Sequence, residues 1–315
     1  MGFIRTISIR KVIAGLISIG FIFAGCNIFA ANTVKNEIVQ QKPIIADYFA
    51  IFDFNSVNDP GWQYRLGTAP FDQLNRLYIS FAWIKNGVIV YQNPDKVDAN
   101  KIDQLVAKCK SENPKATRFI VTGFDNGDMY KEAAKDPDKY ADSVVKFLQD
   151  HDLNGYDMDW ENGIDSNDML ALLKALHTKF QSHGYLLTVA VWQYPSYGSY
   201  NLKEMAKYVN EINIMSYGTG LTLKECAQAY IKDGFPADKI IGGLDTEIDY
   251  NGWGGGVDSL GPEGSIKTKC NYALQNGLAG MMAWRLDNDY RPMKDGKAYG
   301  EPTYKGAMAM YQDMQ

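Results

Sequence analysis

Residues 154–161 read Asn-Gly-Tyr-Asp-Met-Asp-Trp-Glu, and three carboxylates in this stretch recur at every second position. A β-strand turns successive side chains to opposite faces, so Asp157, Asp159 and Glu161 would share one face. The apolar and aromatic residues between them would share the other face. The stretch therefore predicts a strand with an apolar cover on one side and an acidic surface on the other.

The alternation of strand and helix extends in both directions from this stretch. Eight short runs rich in β-branched and aromatic residues predict strands. These runs are residues 44–51, 77–84, 118–123, 154–161, 186–192, 211–217, 240–245 and 279–285. Their starts advance from residue 44 to residue 279 in seven steps of about 34 residues, close to the length of one βα unit. Apolar residues at helical spacing fill most of the intervals.

Eight strands alternating with helices predict the α/β class and a single catalytic (β/α)8 TIM barrel over residues 43–315. A doubly wound open sheet is the competing architecture. It would need a glycine-rich turn after the first strand, where residues 52–55 read Phe-Asp-Phe-Asn instead. The loop-like segment 52–76 is the weakest unit of the barrel interpretation.

The place of the three acids in such a barrel indicates their chemistry. They would point into the interior, where like charges at this spacing cannot all ionise and at least one proton is retained. Glu161 ends the strand at the C-terminal mouth, where a carboxylic acid of raised pKa suits a general acid. Asp159 can hydrogen-bond Glu161, and Asp157 can share a proton with Asp159. The alternative is a surface strand whose acids face water, but amphipathic helical patterns on both sides argue against it.

Residues 154–161 resemble the DGxDxDxE signature of glycoside hydrolase family 18, the chitinases and their relatives, with Asn154 in place of the first Asp. Residues 212–217 and 280–284 are similar to the sixth and eighth strands of that family. The resemblance covers most of the chain after its N-terminal segment. Two departures are Gly218, where the family often has Asp, and residues 120–124, which match the third-strand pattern only loosely.

The resemblance implies a retaining endo-hydrolase of β-1,4-linked N-acetylglucosamine polymers or oligomers such as chitin, in which the substrate's acetamido group assists. Glu161 would be the general acid and base. Asp159 would orient the acetamido group and Asp157 would tune Asp159. Tyr217 would bond the acetamido carbonyl and Trp284 would lie under the reacting sugar. Further substrate-binding residues are expected to be Trp83, Trp192, Gln193, Tyr194 and Met215. No metal or organic cofactor is implied.

Two other functions share these residues. An endo-β-N-acetylglucosaminidase acting on N-glycans would use the same carboxylates. A non-catalytic chitin-binding lectin of the same family usually lacks the terminal acid, which is Glu161 here.

Only about 33 residues separate the last two predicted strands, too few for the additional domain that deepens the groove of some family members. An open cleft and cleavage at internal bonds are therefore expected.

The composition excludes several other classes of protein. With 32 Lys and Arg against 37 Asp and Glu, the net charge of −5 predicts no nucleic-acid partner. Three His and four Cys without metal-ligand spacing predict no metal site. No run of 18 apolar residues follows the N-terminal segment, so no transmembrane span is predicted. The protein is expected to be a monomer.

The N-terminal segment resembles an export signal over residues 1–30, with basic residues followed by an apolar run at 12–24. Residues 23–26 read Phe-Ala-Gly-Cys and resemble a lipoprotein signal, which would anchor the chain through Cys26; ordinary cleavage near Ala30 is the alternative. The protein is therefore expected to be secreted or periplasmic, with a tail at residues 31–42. Lipidation of Cys26 would leave three cysteines, so no disulfide framework is predicted.

Overall fold

The computed structural model describes residues 42–113, 118–125, 127–248 and 256–315. Its strands are, in chain order, β1 (Ile44–Ala50), β2 (Arg76–Lys85), β3 (Val88–Tyr91), β4 (Arg118–Asp125), β5 (Gly155–Trp160), β6 (Leu186–Val191), β7 (Glu211–Ile214), β8 (Ile240–Asp245), β9 (Gly280–Trp284), β10 (Met293–Lys294) and β11 (Lys297–Ala298). The eight strands β1, β2 and β4 to β9 run parallel in one sheet, which β3 joins as an antiparallel neighbour of β2; β10 and β11 form a separate antiparallel pair. The sheet closes because β1 pairs with β2 on one side and with β9 on the other.

Helices connect the strands and cover the outside of the barrel. They are α1 (Pro60–Thr68), α2 (Asp98–Glu112), α3 (Met129–Ala133), α4 (Pro137–Asp150), α5 (Ser166–Gln181), α6 (Pro195–Gly198), α7 (Leu202–Tyr208), α8 (Leu223–Lys232), α9 (Ser265–Gln275) and α10 (Lys305–Asp313). Several begin at a side-chain cap that satisfies a free backbone N–H. Asp165 accepts from the N–H groups of Asn167 and Asp168 to start α5, and Thr222 accepts from the Glu225 N–H to start α8.

The predicted (β/α)8 barrel is thus confirmed, and the open sheet is wrong, because the first and last barrel strands pair. All six residues of β5 are buried. Its outward-facing Tyr156, Met158 and Trp160 belong to the apolar core between strands and helices. Its inward-facing positions lie between β4 and β6, with Asp157 opposite Thr122 and Thr188. The barrel therefore holds the acidic face inside, as the period of two predicts.

Two elements depart from the sequence reading. The antiparallel strand β3 extends β2 beyond the barrel after a tight turn at Asn86 and Gly87, whose φ angles are 54° and 72°. An Asn-Gly pair is the usual two-residue hairpin turn because both positions need positive φ. The segment 52–76 also contains a helix, α1, which begins at Pro60 after the cap Asp59.

The predicted export signal at residues 1–30, with Cys26, lies outside the described residues. Within the described ranges, no helix is both long and apolar enough to cross a membrane. Cys109, Cys226 and Cys270 are buried free thiols.

Candidate active site

A cavity of about 240 Å³ opens at the C-terminal ends of the barrel strands. Its lining brings together five of the residues predicted from the sequence, namely Asp159, Glu161, Met215, Tyr217 and Trp284. It also contains five that the sequence reading did not select, namely Tyr48, Phe52, Phe81, Phe124 and Ala190. Tyr48, Phe81 and Phe124 lie within predicted strands or directly after them, so their positions in the strands can identify them as candidates for the lining of the cavity.

Asp157 lies below this cavity and is completely buried. One of its oxygens accepts from the Tyr48 hydroxyl at 2.9 Å and the Thr122 hydroxyl at 3.3 Å. The other accepts from the Thr188 hydroxyl at 2.6 Å and the Asn213 amide at 3.1 Å. Burial raises the pKa of Asp157 to about 6, and these bonds, which favour the charged form, oppose a larger rise.

Proton sharing between Asp157 and Asp159 stays a prediction, and four protein donors already occupy the oxygens of Asp157. Among the described residues no hydrogen bond joins Asp159 to Asp157 or to Glu161, and Oδ1 of Asp159 has no hydrogen-bond partner. Asp159 is nevertheless only 6% exposed. Burial, and then the charges of Glu161 and Asp157, raise the pKa of Asp159 well above its usual value. A buried carboxyl oxygen left without a donor is costly, so this oxygen is available to a ligand N–H or O–H.

Glu161 follows β5 at the rim of the cavity. Burial raises the pKa of its carboxyl from 4.5 to about 7. Its backbone is held on both sides: the N–H donates to the Asp125 carbonyl at 3.0 Å, and the carbonyl accepts from Nε1 of Trp192 at 2.9 Å. The carbonyl of Trp192 in turn accepts from the Tyr230 hydroxyl at 2.7 Å. The Glu161 carboxyl therefore extends from a backbone fixed to the two neighbouring strands.

The raised pKa of Glu161 has a consequence for stability. The folded chain keeps this proton from about pH 4.5 to about pH 7, where the unfolded chain has lost it, so stability falls as the pH rises through that window. Glu161→Gln has no proton to lose. Its advantage in free energy of unfolding over wild type should be larger at pH 8 than at pH 4 by about 3 kcal/mol. Urea unfolding at both pH values measures this, and an equal difference at the two would contradict the assignment.

Tyr217 presents its ring to the cavity, with its hydroxyl 4.0 Å from the sulfur of Met282. The backbone on either side of it is fixed by Lys269, whose Nζ donates to the carbonyls of Ser216 and Gly218. Gly218 adopts a φ of 83°, a backbone conformation that residues other than glycine rarely adopt. This conformation suits the glycine that stands where the resemblance leads one to expect Asp. The Gly218 N–H donates to Asp258 at 3.0 Å, so a carboxylate from another loop meets this segment.

Aromatic rings form one wall of the cavity. The rings of Phe81 and Trp284 stack at 5.7 Å with an angle of 21° between their planes. Phe52 lies on Phe81 at 5.5 Å and 2°, and Phe124 lies 4.8 Å from Phe81. Trp284 also contacts Tyr48 at 5.7 Å. The wall offers a continuous apolar surface beside the two carboxyls.

Four residues predicted to bind substrate do not line this cavity. Trp192 and Gln193 are each 7% exposed, and the indole of Trp192 bonds the Glu161 backbone. Tyr194 packs edge-on against Tyr197 at 5.6 Å. Trp83 is 37% exposed in the part of β2 that pairs with β3, two residues beyond Phe81. Contact of these four with a longer substrate stays a prediction.

Within the described ranges, no group of three or more His, Cys, Asp or Glu side chains could hold a metal ion. Two other acids near the mouth, Asp287 and Asp289, bond backbone N–H groups. Asp287 accepts from the Ala50 N–H at 2.8 Å, and Asp289 accepts from the N–H groups of Gly306 and Ala307 at 3.0 and 2.8 Å.

Two proteins of known function are similar to part of this chain. Chitinase 1 of Aphanocladium album is 28% identical over 141 residues, covering 33% of this chain and 33% of that protein. Endochitinase 1 of Metarhizium robertsii is 23% identical over 240 residues, covering 58% of this chain and 57% of that protein. The chain thus spans less than two thirds of the length of these relatives.

Among solved structures, human YKL-39 is similar with a TM-score of 0.66 and 17% identity, covering 86% of this chain and 99% of that one. It is described as a pseudo-chitinase with retained chitooligosaccharide binding properties. At this identity the likeness establishes the fold alone. The family model "Glycosyl hydrolases family 18" matches residues 54–253, more than half of the chain. The chain therefore belongs to the glycosyl hydrolases of family 18.

Proposed function

We propose that this protein is a retaining, substrate-assisted endo-hydrolase of β-1,4-linked N-acetylglucosamine polymers or oligomers, a chitinase-like enzyme. The observation that carries the proposal is the Glu161 carboxyl, which has a pKa of about 7 at the rim of an aromatic cavity beside Asp159. A group that is half protonated near neutral pH can give and take a proton within one catalytic cycle.

The arrangement of the carboxyls favours assistance by the substrate. An ordinary retaining glycosidase has two carboxyls about 5 Å apart that flank the scissile bond, and one of them attacks the sugar. In the described lining of the cavity the carboxyls are Asp159 and Glu161, two positions apart along one strand, so they do not face each other across a sugar. Family 18 is an exception to the two-carboxylate scheme, because the substrate supplies the nucleophile.

The reaction then proceeds in two displacements. The acetamido carbonyl oxygen attacks the anomeric carbon while the glycosidic bond breaks, and Glu161 gives its proton to the leaving oxygen. The products are an oxazolinium ion and the Glu161 carboxylate. Water next attacks the same carbon, Glu161 takes a proton from it, and the ring opens to restore the acetamido group. Two inversions at one carbon retain the anomeric configuration.

The other residues of the cavity suit this chemistry. Oδ1 of Asp159, which has no hydrogen-bond partner among the described residues, can accept the acetamido N–H. The Tyr217 hydroxyl can donate to the acetamido carbonyl. The Trp284 ring offers a flat apolar face, and sugar C–H groups pack well against such faces. The negative charge of Asp157, which lies below, helps to raise the pKa of Asp159.

Chitin as the substrate is supported by the names of the relatives, a chitinase and an endochitinase. The export signal predicted at residues 1–30 would bring the enzyme to such a polymer outside the cytoplasm, either free or anchored through Cys26. We propose that it acts there as a monomer without a cofactor.

The test compares fully N-acetylated chitopentaose with the fully de-N-acetylated pentamer. The acetylated substrate should be cut at internal bonds, and the deacetylated one at least about 100-fold more slowly, because it lacks the intramolecular nucleophile. Mass spectrometry of the products measures both rates. Equal rates would overturn the proposal. Cleavage of a high-mannose glycopeptide alone would identify an endo-β-N-acetylglucosaminidase, and binding without cleavage would identify a lectin.

A further inference from the structure

The indole N–H of Trp284 is hydrogen-bonded behind the aromatic wall. It donates to Oε2 of Glu247 at 2.8 Å. The other oxygen of Glu247, Oε1, accepts from the Arg285 guanidinium at 2.8 Å and from the Asn288 amide at 2.5 Å. Glu247 is 9% exposed and Arg285 is 5% exposed. Both oxygens of this carboxylate are thus bonded, and one of them holds the ring that lines the cavity.

Arg285, which donates to Glu247, is itself held by several contacts. Its guanidinium pairs with Asp53 at 2.6 Å and with Asp287 at 3.1 Å, in addition to Glu247. It also lies over the Phe52 ring, 5.2 Å from the centroid. Charges this deeply buried persist only when paired and hydrogen-bonded, so the cluster has little freedom to rearrange. Glu247 therefore offers the indole a stationary acceptor.

We infer that Glu247 is a positioning residue, which sets the plane of the Trp284 ring under the sugar through the indole N–H. This inference rests on the proposed function, because the ring matters only if a sugar binds against it. The ring of a tryptophan can pivot about its side-chain bonds, and a single directional bond at the indole nitrogen restricts that pivot. A misplacement of about 1 Å in such a site is enough to lower the rate up to about 100-fold.

Glu247→Gln is the conservative change that removes this role. The glutamine amide has one acceptor oxygen in place of two and adds N–H donors toward Arg285, Asn288 or the indole. At least one buried donor then loses its bond. We expect kcat/KM for N-acetylchitopentaose to fall about tenfold, within the range that imperfect positioning produces.

A double-mutant cycle separates this role from a general effect on folding. Trp284→Phe keeps a ring but has no N–H, so Glu247 has nothing to hold. We therefore expect the Glu247→Gln change to matter only where the indole N–H of residue 284 is present. The single change at 247 lowers kcat/KM about tenfold in wild type, but less than about twofold in the Trp284→Phe background. Melting temperatures of all four proteins are recorded alongside.

Asp47→Asn provides the matched control. Asp47 is also a buried carboxyl that accepts from an aromatic side chain, the Tyr311 hydroxyl, but it is a β1 residue bonded to α10 and does not line the cavity. The kcat/KM of the Asp47→Asn variant should stay within about twofold of the wild-type value. The inference is overturned if Glu247→Gln loses the same factor in both backgrounds, or if Asp47→Asn loses as much as Glu247→Gln. Either result leaves the proposed function standing.

Binding and cleavage of N-acetylchitopentaose by the wild-type protein show whether the proposed function itself fails. If the wild type binds N-acetylchitopentaose without cleaving it, the same cycle is read from dissociation constants by calorimetry, with the same expected factors. If the wild type neither cleaves nor binds the sugar, the proposed function is overturned and the inference with it.

Discussion

Glu161→Gln is expected to lower kcat on N-acetylchitopentaose by at least about 100-fold, the contribution typical of a general acid and base. Glutamine has nearly the same size and keeps the backbone bonds to Asp125 and Trp192, but it cannot give a proton to the leaving oxygen. KM should change less than about threefold, because the sugar contacts remain. Steady-state kinetics with product quantification by chromatography measures both constants.

A surface substitution of the same type controls for nonspecific effects. Glu204 lies on α7, where it pairs with Lys207 and is away from the cavity lining. Glu204→Gln should keep wild-type kinetics. A Glu161→Gln protein that retains kcat within about threefold would rule out Glu161 as the proton donor.

Asp159→Asn is expected to have the second largest effect, a fall in kcat of about 100-fold. The Asp159 carboxyl can accept the acetamido N–H at its unbonded Oδ1, and in its ionised form it opposes the positive charge of the oxazolinium ion. Asparagine keeps one acceptor oxygen but is neutral, so it loses the electrostatic part, which is strong in a buried site. Binding of N-acetylchitopentaose, which precedes the charge, should weaken less than about threefold.

The two effects are separated by measuring single-turnover rates and calorimetric affinity on the same protein. A loss confined to affinity would mean that Asp159 only holds the substrate. A loss confined to the single-turnover rate supports stabilisation of the charged intermediate. Differential scanning calorimetry shows whether the variant is folded. We expect it to be as stable as wild type, because the change removes a like charge beside Glu161 and Asp157.

Much of the barrel is predictable from the sequence, because its strands are buried and their alternation is regular. The period of two over Asp157, Asp159 and Glu161 correctly gives their common face and their place inside the barrel. The hairpin strand β3 lies outside the regular alternation of strand and helix on which the barrel prediction rests, although Asn86-Gly87 is a strong local turn signal for it. Asp59 and Pro60 likewise signal the start of α1 in a segment read as loop.

Contacts between distant loops are the part that the sequence does not reveal. Trp62, an aromatic residue that follows the first predicted strand, is fully buried on α1 between Phe49 and Phe54. Glu247 and Trp284 are 37 positions apart, and nothing in either local sequence pairs them. Side chains that meet across a barrel mouth are brought together by closure of the sheet, which no local pattern encodes.

The anomeric configuration of the first product tests the central claim most directly. Proton NMR spectra recorded within the first minutes of N-acetylchitopentaose hydrolysis distinguish the α and β forms of the new reducing end before they interconvert. Substrate assistance with Glu161 as acid and base predicts the β anomer in excess, decaying to the equilibrium mixture. An initial excess of the α anomer would mean direct attack by water and would contradict the account.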